Sequence, residues 1–129
     1  MHISNMVAVT IGGGIGALSR AVLCHYLPLY IFTRFPIGIF TVNIIGCFLM
    51  GVLVETATFY WSPNEVTRTF LQAGVLGGFT TFSGFALEFG LLMERNLLVT
   101  AFLYATLSVI STIFAFYLGI KIIKIFAMH

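Results

Sequence analysis

Residues 77–85 read GGFTTFSGF, placing glycines, three hydroxyls and three phenylalanines inside a stretch that has no charged residue from position 69 to 87. Two kinds of chemistry follow. Paired glycines followed by paired threonines make a continuous helix unfavourable, so the span is expected to break over Gly77 to Thr80. A helix broken inside a membrane exposes carbonyls and amides that only protein, water or an ion can satisfy, and such breaks build ion sites. In the helix that resumes, Phe82, Phe85 and Phe89 recur at helical spacing. Ring edges carry the positive part of the aromatic quadrupole, so Phe82 and Phe85, flanked by Thr81 and Ser83, suit a small anion. Packing is the alternative for all these rings and the one expected of Phe89.

Other polar groups stand in apolar surroundings. Asn43, in NIIGCFLMG, is the only amide near the middle of its stretch; it offers two N–H donors, or it glues helices together. Tyr104, Ser108 and Thr112 fall at i, i+4 and i+8, one polar stripe on a helix otherwise apolar. Each Ser or Thr can instead bond back to its own helix, although three in register are harder to explain that way. Arg20 adjoins the first apolar stretch, where an Arg commonly snorkels to the interface and alternatively draws an anion into a vestibule. IGGGIGA, residues 11–17, contains G-x-G, but it starts a membrane span with no preceding strand, in a chain without Asp, and so is no dinucleotide loop. Gly12 and Gly16 form GxxxG, a smooth face for close helix packing.

The elements that must hold these groups are membrane spans. Of 129 residues, 60% are hydrophobic and 8% charged, with mean hydropathy +1.09, which places the chain in a bilayer as one domain, residues 1–129. Uncharged stretches 3–19, 35–54, 69–87 and 96–120 are each long enough to cross, or nearly cross, a hydrocarbon core of roughly 30 Å. The expected architecture is all-α, with four transmembrane helices over residues 3–26, 35–59, 66–93 and 96–123, the third broken near the midplane. Ser62 is a plausible cap leading into Pro63, and Glu94-Arg95-Asn96 marks a turn. The start of the chain has no basic region or small-residue cleavage site, so the first apolar segment reads as a retained span.

Charge neither orients the chain strongly nor supplies a nucleic-acid footprint. Arg68, Lys121 and Lys124 fall on one side of the membrane, Arg34 and Arg95 on the other, with Arg20 joining them if it snorkels there. So even a count predicts insertion both ways; a weak bias resolved by other signals is the competing reading. Dual insertion permits an antiparallel homodimer with its two-fold axis in the membrane plane. Cys24 and Cys47 have no metal-ligand or redox spacing and are expected to pack. With Glu55, Glu65, Glu88 and Glu94 as its only acids, the chain has little for carboxylate or magnesium catalysis, and no enzymatic activity is expected.

GGGIGALSR, TVNIIGCFLMG, GGFTTFSGF and the hydroxyl stripe together resemble the Fluc (CrcB) fluoride channels, and the likeness covers the whole chain. The resemblance implies a dual-topology antiparallel homodimer in the bacterial inner membrane, with two fluoride pathways and a central structural sodium ion. It carries the sodium ligands to the backbone carbonyls of Gly77 and Thr80 of both subunits. The fluoride path maps to Asn43, Phe82, Phe85, Tyr104, Ser108 and Thr112; Arg20 and Glu88 match positions suited to a vestibule, where Glu88 is either a gating acid or an interfacial one. Gly84 and Ile39 depart from the family's usual threonines, each removing a hydroxyl, while Thr41 remains nearby. The function implied is passive, fluoride-selective export that lowers fluoride toxicity. The alternatives are a small multidrug resistance type proton-coupled exporter, which needs a first-span carboxylate absent here, and a non-conducting membrane subunit.

Overall fold

A long apolar segment has one open-ended solution in hydrocarbon, the helix, because each N–H and C=O then finds its partner within the segment. The computed structural model describes residues 1–32 and 34–129. Helix α1 runs over Ile3–Tyr26 and α2 over Gly38–Phe59, joined by a short antiparallel ladder of β1 (Tyr30–Ile31) with β2 (Phe35–Pro36). The third span is segmented into α3 (Glu65–Arg68), a π-helical stretch Thr69–Leu76, α4 (Gly77–Phe79) and α5 (Phe82–Glu94); α6 covers Leu98–Ala127. Among the described residues, Ile3–Tyr26, Gly38–Phe59, Glu65–Glu94 and Leu98–Ala127 are long and apolar enough to cross a membrane. This is a multi-pass, all-α membrane protein whose third span is broken midway.

The break lies later than the glycine pair suggests. Gly77 is helical, at φ −63° and ψ −38°, whereas Thr80 and Thr81 are extended, at φ −88°, ψ 156° and φ −152°, ψ 123°. Gly77 and Gly78 therefore continue the helix, and the two threonines break it. Gly78 has a different reason to lack a side chain: a Cβ there would come 2.6 Å from the carbonyl oxygen of Gly13 on α1. The cap of the third span also differs from expectation. Asn64, not Ser62, accepts from the backbone N–H of Thr67 at 2.8 Å, so the helix begins after Pro63 rather than with it. The turn into α6 falls where expected, with Asn96 at φ 58°, a conformation asparagine tolerates better than most residues.

Packing depends on bare backbone. α1 lies against the π-helical stretch and α4, and a Cβ on Gly12 would stand 2.6 Å from the Phe70 carbonyl oxygen; one on Gly16 would strike the Val75 carbonyl and come 2.8 Å from the Phe79 amide. α2 lies against α6 in the same manner, Gly51 facing the carbonyl of Phe116 and Gly119 that of Phe48. Asn5, buried on α1, donates to a Glu65 carboxylate oxygen at 2.9 Å and ties α1 to the start of α3. Near the other end, Leu92, Ala101 and Tyr104 form a buried cluster covered by Phe35, Phe40, Phe85 and Phe89. Large side chains elsewhere on α1 and α6, such as Ile11, Leu18, Ile110 and Phe114, face outward.

Gly16→Val is expected to lower stability by about 3 kcal/mol or more, because rigid backbone, not a flexible side chain, must move aside. Gly90→Ala, where an added Cβ meets nothing within 4 Å, is expected to leave stability unchanged or raise it. Thermal unfolding of the two variants in detergent distinguishes the sites.

Candidate functional site

The interruption at Thr80–Thr81 places unpaired backbone groups at the middle of a membrane span, and a single side chain takes two of them. Asn43 on α2 accepts from the Thr81 N–H through Oδ1 at 2.8 Å and donates from Nδ2 to the Thr81 carbonyl at 3.0 Å. This two-point clamp has the geometry of a strand pairing made by a side chain. Thr81 then caps α5, its Oγ1 accepting from the Gly84 N–H at 2.9 Å and lying 3.1 Å from Ser83 Oγ. Thr80 donates its hydroxyl to the Leu76 carbonyl at 3.0 Å. Its methyl group packs into the space left by Gly46, where an added Cβ would collide with it.

These bonds settle where orphan groups remain. In a continuous helix the Gly77 carbonyl would accept from the Thr81 amide, and the Thr80 carbonyl from the Gly84 amide. Both amides are directed elsewhere, to Asn43 and to the Thr81 hydroxyl. The amides of Thr81 and Gly84 are thus satisfied while the carbonyls of Gly77 and Thr80 lose their usual partners, and the Phe82 and Ser83 amides open α5 without a helical acceptor. Carbonyl oxygens of this kind fit a hard cation such as sodium without any carboxylate.

Beside the break is a cavity of ≈ 230 Å³ whose lining includes Asn43, Phe82, Phe85, Ser108 and Thr112, together with Thr80 and Thr81. Five of the six anion-path residues expected from the sequence therefore meet. Tyr104 lies behind them: it is fully buried, stacked on Phe85 at 5.3 Å between ring centroids and edge-on to Phe35 at 5.4 Å. Stacking uses the face of Phe85, which leaves its ring edge for the groove; Phe82 is 5.4 Å away and 80% exposed. Phe89 packs on Phe85 and Phe102, as a core ring.

The hydroxyl stripe is not uniform. Thr112 Oγ1 donates back to the Ser108 carbonyl at 2.7 Å, with the Val109 carbonyl 3.1 Å away, so it presents lone pairs outward and not a proton. The hydroxyls of Ser108 and Tyr104 are buried without partners. Asn43 keeps one N–H beyond its clamp. Among the path residues expected from the sequence, the side-chain donors without a protein partner are therefore that N–H and the Tyr104 and Ser108 hydroxyls, with Tyr104 outside the cavity lining.

Arg20 and Glu88 lie outside this cavity. Arg95, at the end of α5, donates to the Tyr30 hydroxyl at 2.6 Å while its guanidinium lies 5.7 Å from the centroid of the same ring. Cys47 and Val109 also line the cavity, neither expected there from the sequence. Cys47, assigned to packing, lines the cavity one turn beyond Asn43 and also a second cavity that continues toward Met50 and Tyr117. Thr81, expected as a helix-breaking threonine beside the rings, is also the cap of α5, and its position before a resuming helix is a cap signature.

The family model described as CrcB-like protein, Camphor Resistance (CrcB), matches residues 7–120. A fluoride-specific ion channel FluC of Rhodospirillum centenum is 39% identical over 119 residues, covering 92% of this chain and 94% of that protein. Proteins of the same name from Mesorhizobium japonicum and a Nitratiruptor species are 40% and 37% identical, over 90% and 96% of this chain and 93% and 95% of their own lengths.

Asn43→Ala deletes both arms of the clamp and leaves the Thr81 amide and carbonyl unpaired in an apolar setting. The expected loss is about 2 kcal/mol or more, read as a lower unfolding midpoint in detergent.

Proposed function

The chain belongs to the CrcB family, and from that premise we infer that it is a fluoride-specific ion channel of the bacterial inner membrane, through which cytoplasmic fluoride leaves passively and its toxicity falls. The observation that supports a conducting site best is the cavity beside the helix break, where a free amide N–H, an unpartnered serine hydroxyl and two phenylalanine edges converge. Fluoride is small and strongly hydrated, so a path for it must replace water's donors nearly one for one. Asn43, Ser108 and Tyr104 supply hydrogen-bond donors, and the edges of Phe82 and Phe85 supply weaker stations that release the ion again. Thr112 shapes the groove, its proton being committed to its own helix. Arg20 raises the local concentration of anions in a vestibule.

Passive flow needs no energy source, and the family's chemistry requires none. Hydrogen fluoride entering from acid surroundings dissociates inside, and the trapped anion leaves down its gradient. This differs from proton-coupled multidrug export, for which α1 offers no carboxylate.

The functional unit we propose is an antiparallel homodimer with two pathways. One protomer leaves Phe82 and Ser83 exposed beside the break, a polar, half-lined groove that a second copy would complete away from lipid. Near-even basic residues on the two sides support insertion in both orientations. We further propose that the carbonyls of Gly77 and Thr80 from both subunits hold a structural sodium ion between them. When bound, that ion would neutralise the acceptors the break leaves without amide partners.

Purified protein in sealed liposomes is expected to release fluoride and retain chloride; absence of fluoride efflux would overturn the channel reading. Phe82→Ile is expected to reduce flux while the dimer still assembles, measured by efflux and by size-exclusion chromatography of the same preparation. Ser108→Ala is expected to lower flux by roughly tenfold, the size of one lost hydrogen bond of about 1.4 kcal/mol. Thr112→Val, which removes no free donor, is expected to have a distinctly smaller effect.

A further inference from the structure

Gly84 is the third residue of α5, in its first turn, where alanine is the better helix former, so its presence calls for a reason. Its surroundings supply one. A Cβ at position 84 would stand 2.7 Å from Thr81 Cγ2, 3.2 Å from Thr81 Oγ1 and 3.2 Å from Ile39 Cδ1. Thr81 has no freedom to yield. Its N–H and C=O are both held by Asn43, and its hydroxyl accepts from the Gly84 amide itself. Rotating the threonine side chain to withdraw its methyl would also swing the hydroxyl off that amide, because both branches sit on the same Cβ. Ile39 blocks the other side. It lies one turn before Asn43 on α2, so one face of α2 holds the start of α5 by a hydrogen-bonded clamp and by an apolar stop.

We propose that Ile39 and Gly84 are complementary positioning residues for the anion path, the bulk of one fitting the bareness of the other so that Thr81 caps α5 in a single rotamer. The inference rests on the channel reading and deepens it. Phe82 and Phe85 stand on the first turns of α5, and their ring edges keep their aim only while that cap is seated. A side chain at 84 therefore acts on conduction through Thr81, without itself touching the ion.

The test compares flux per reconstituted dimer for four proteins. Gly84→Ala is expected to lower fluoride efflux by about tenfold, equivalent to about 1.4 kcal/mol. The triple variant Ile39→Val, Thr81→Ser, Gly84→Ala keeps the capping hydroxyl but removes both carbons that oppose the new Cβ. It is expected to recover most of the flux of its own reference, Ile39→Val with Thr81→Ser. Full flux in Gly84→Ala would overturn the proposal, as would a triple variant no better than Gly84→Ala alone. Should Gly84→Ala fail to assemble, the triple variant still decides, since recovered flux supports the size relation and continued failure refutes it. The unmodified chain is measured in the same vesicles: if it conducts while Gly84→Ala is tolerated, only this inference falls, whereas a silent parent overturns the channel reading beneath it.

Discussion

Backbone hydrogen bonding at Thr80–Thr81 is the constraint on which the rest depends. In water a helix break costs little, because solvent takes the freed groups; within hydrocarbon each unpaired group costs several kcal/mol. This chain meets that demand with side chains borrowed from close by. Asn43 replaces a strand partner for Thr81, the Thr81 hydroxyl replaces a helical carbonyl for Gly84, and the Thr80 hydroxyl turns back to Leu76. An asparagine reaches only a short way from its own helix, so α2 must lie close to the break. The bareness of Gly46, against which the Thr80 methyl packs, permits that approach. The same close packing is repeated where α1 meets α4 and where α2 meets α6, each time at a glycine facing a carbonyl.

How much of this was legible beforehand depends on whether a residue type has one physical use or several. The spans were readable because uncharged length has one meaning in a bilayer, and the broken third span was readable because glycine and threonine both weaken helices. The break's location was not, since a glycine can serve either a bend or a close approach, and Gly78 serves the approach to Gly13. Asn43 was flagged correctly as polar and central, but sequence does not reveal whether an amide spends its donors on a neighbouring backbone. It spends one. The stripe Tyr104, Ser108, Thr112 divides for the same reason: periodicity fixes a shared face and says nothing about rotamers, and only Thr112 turns its proton onto its own helix. The π-helical stretch and the short β1–β2 ladder left no periodic signature to find.

Tyr104 illustrates how packing and chemistry are combined. Its ring belongs to the buried cluster with Leu92 and Ala101, and it stacks on Phe85. Its hydroxyl nevertheless has no partner. A buried, unpaired hydroxyl is destabilising by about 1–3 kcal/mol, so its retention makes sense where something that accepts a proton comes near. Ser108, one turn along, shares the same condition. The groove thus carries donors that the protomer itself does not consume, next to a break that leaves carbonyls without their helical partners.

That asymmetry bears on the proposed sodium ion as well. The carbonyls of Gly77 and Thr80, short of their helical partners, are a source of negative potential at the break. A path for anions tolerates such potential only if a cation neutralises it or if the carbonyls turn away from the groove. Gly77 lies outside the cavity lining while Thr80 contributes to it. A cation held there by both subunits would join them and screen the route together, one ion meeting an assembly requirement and an electrostatic one.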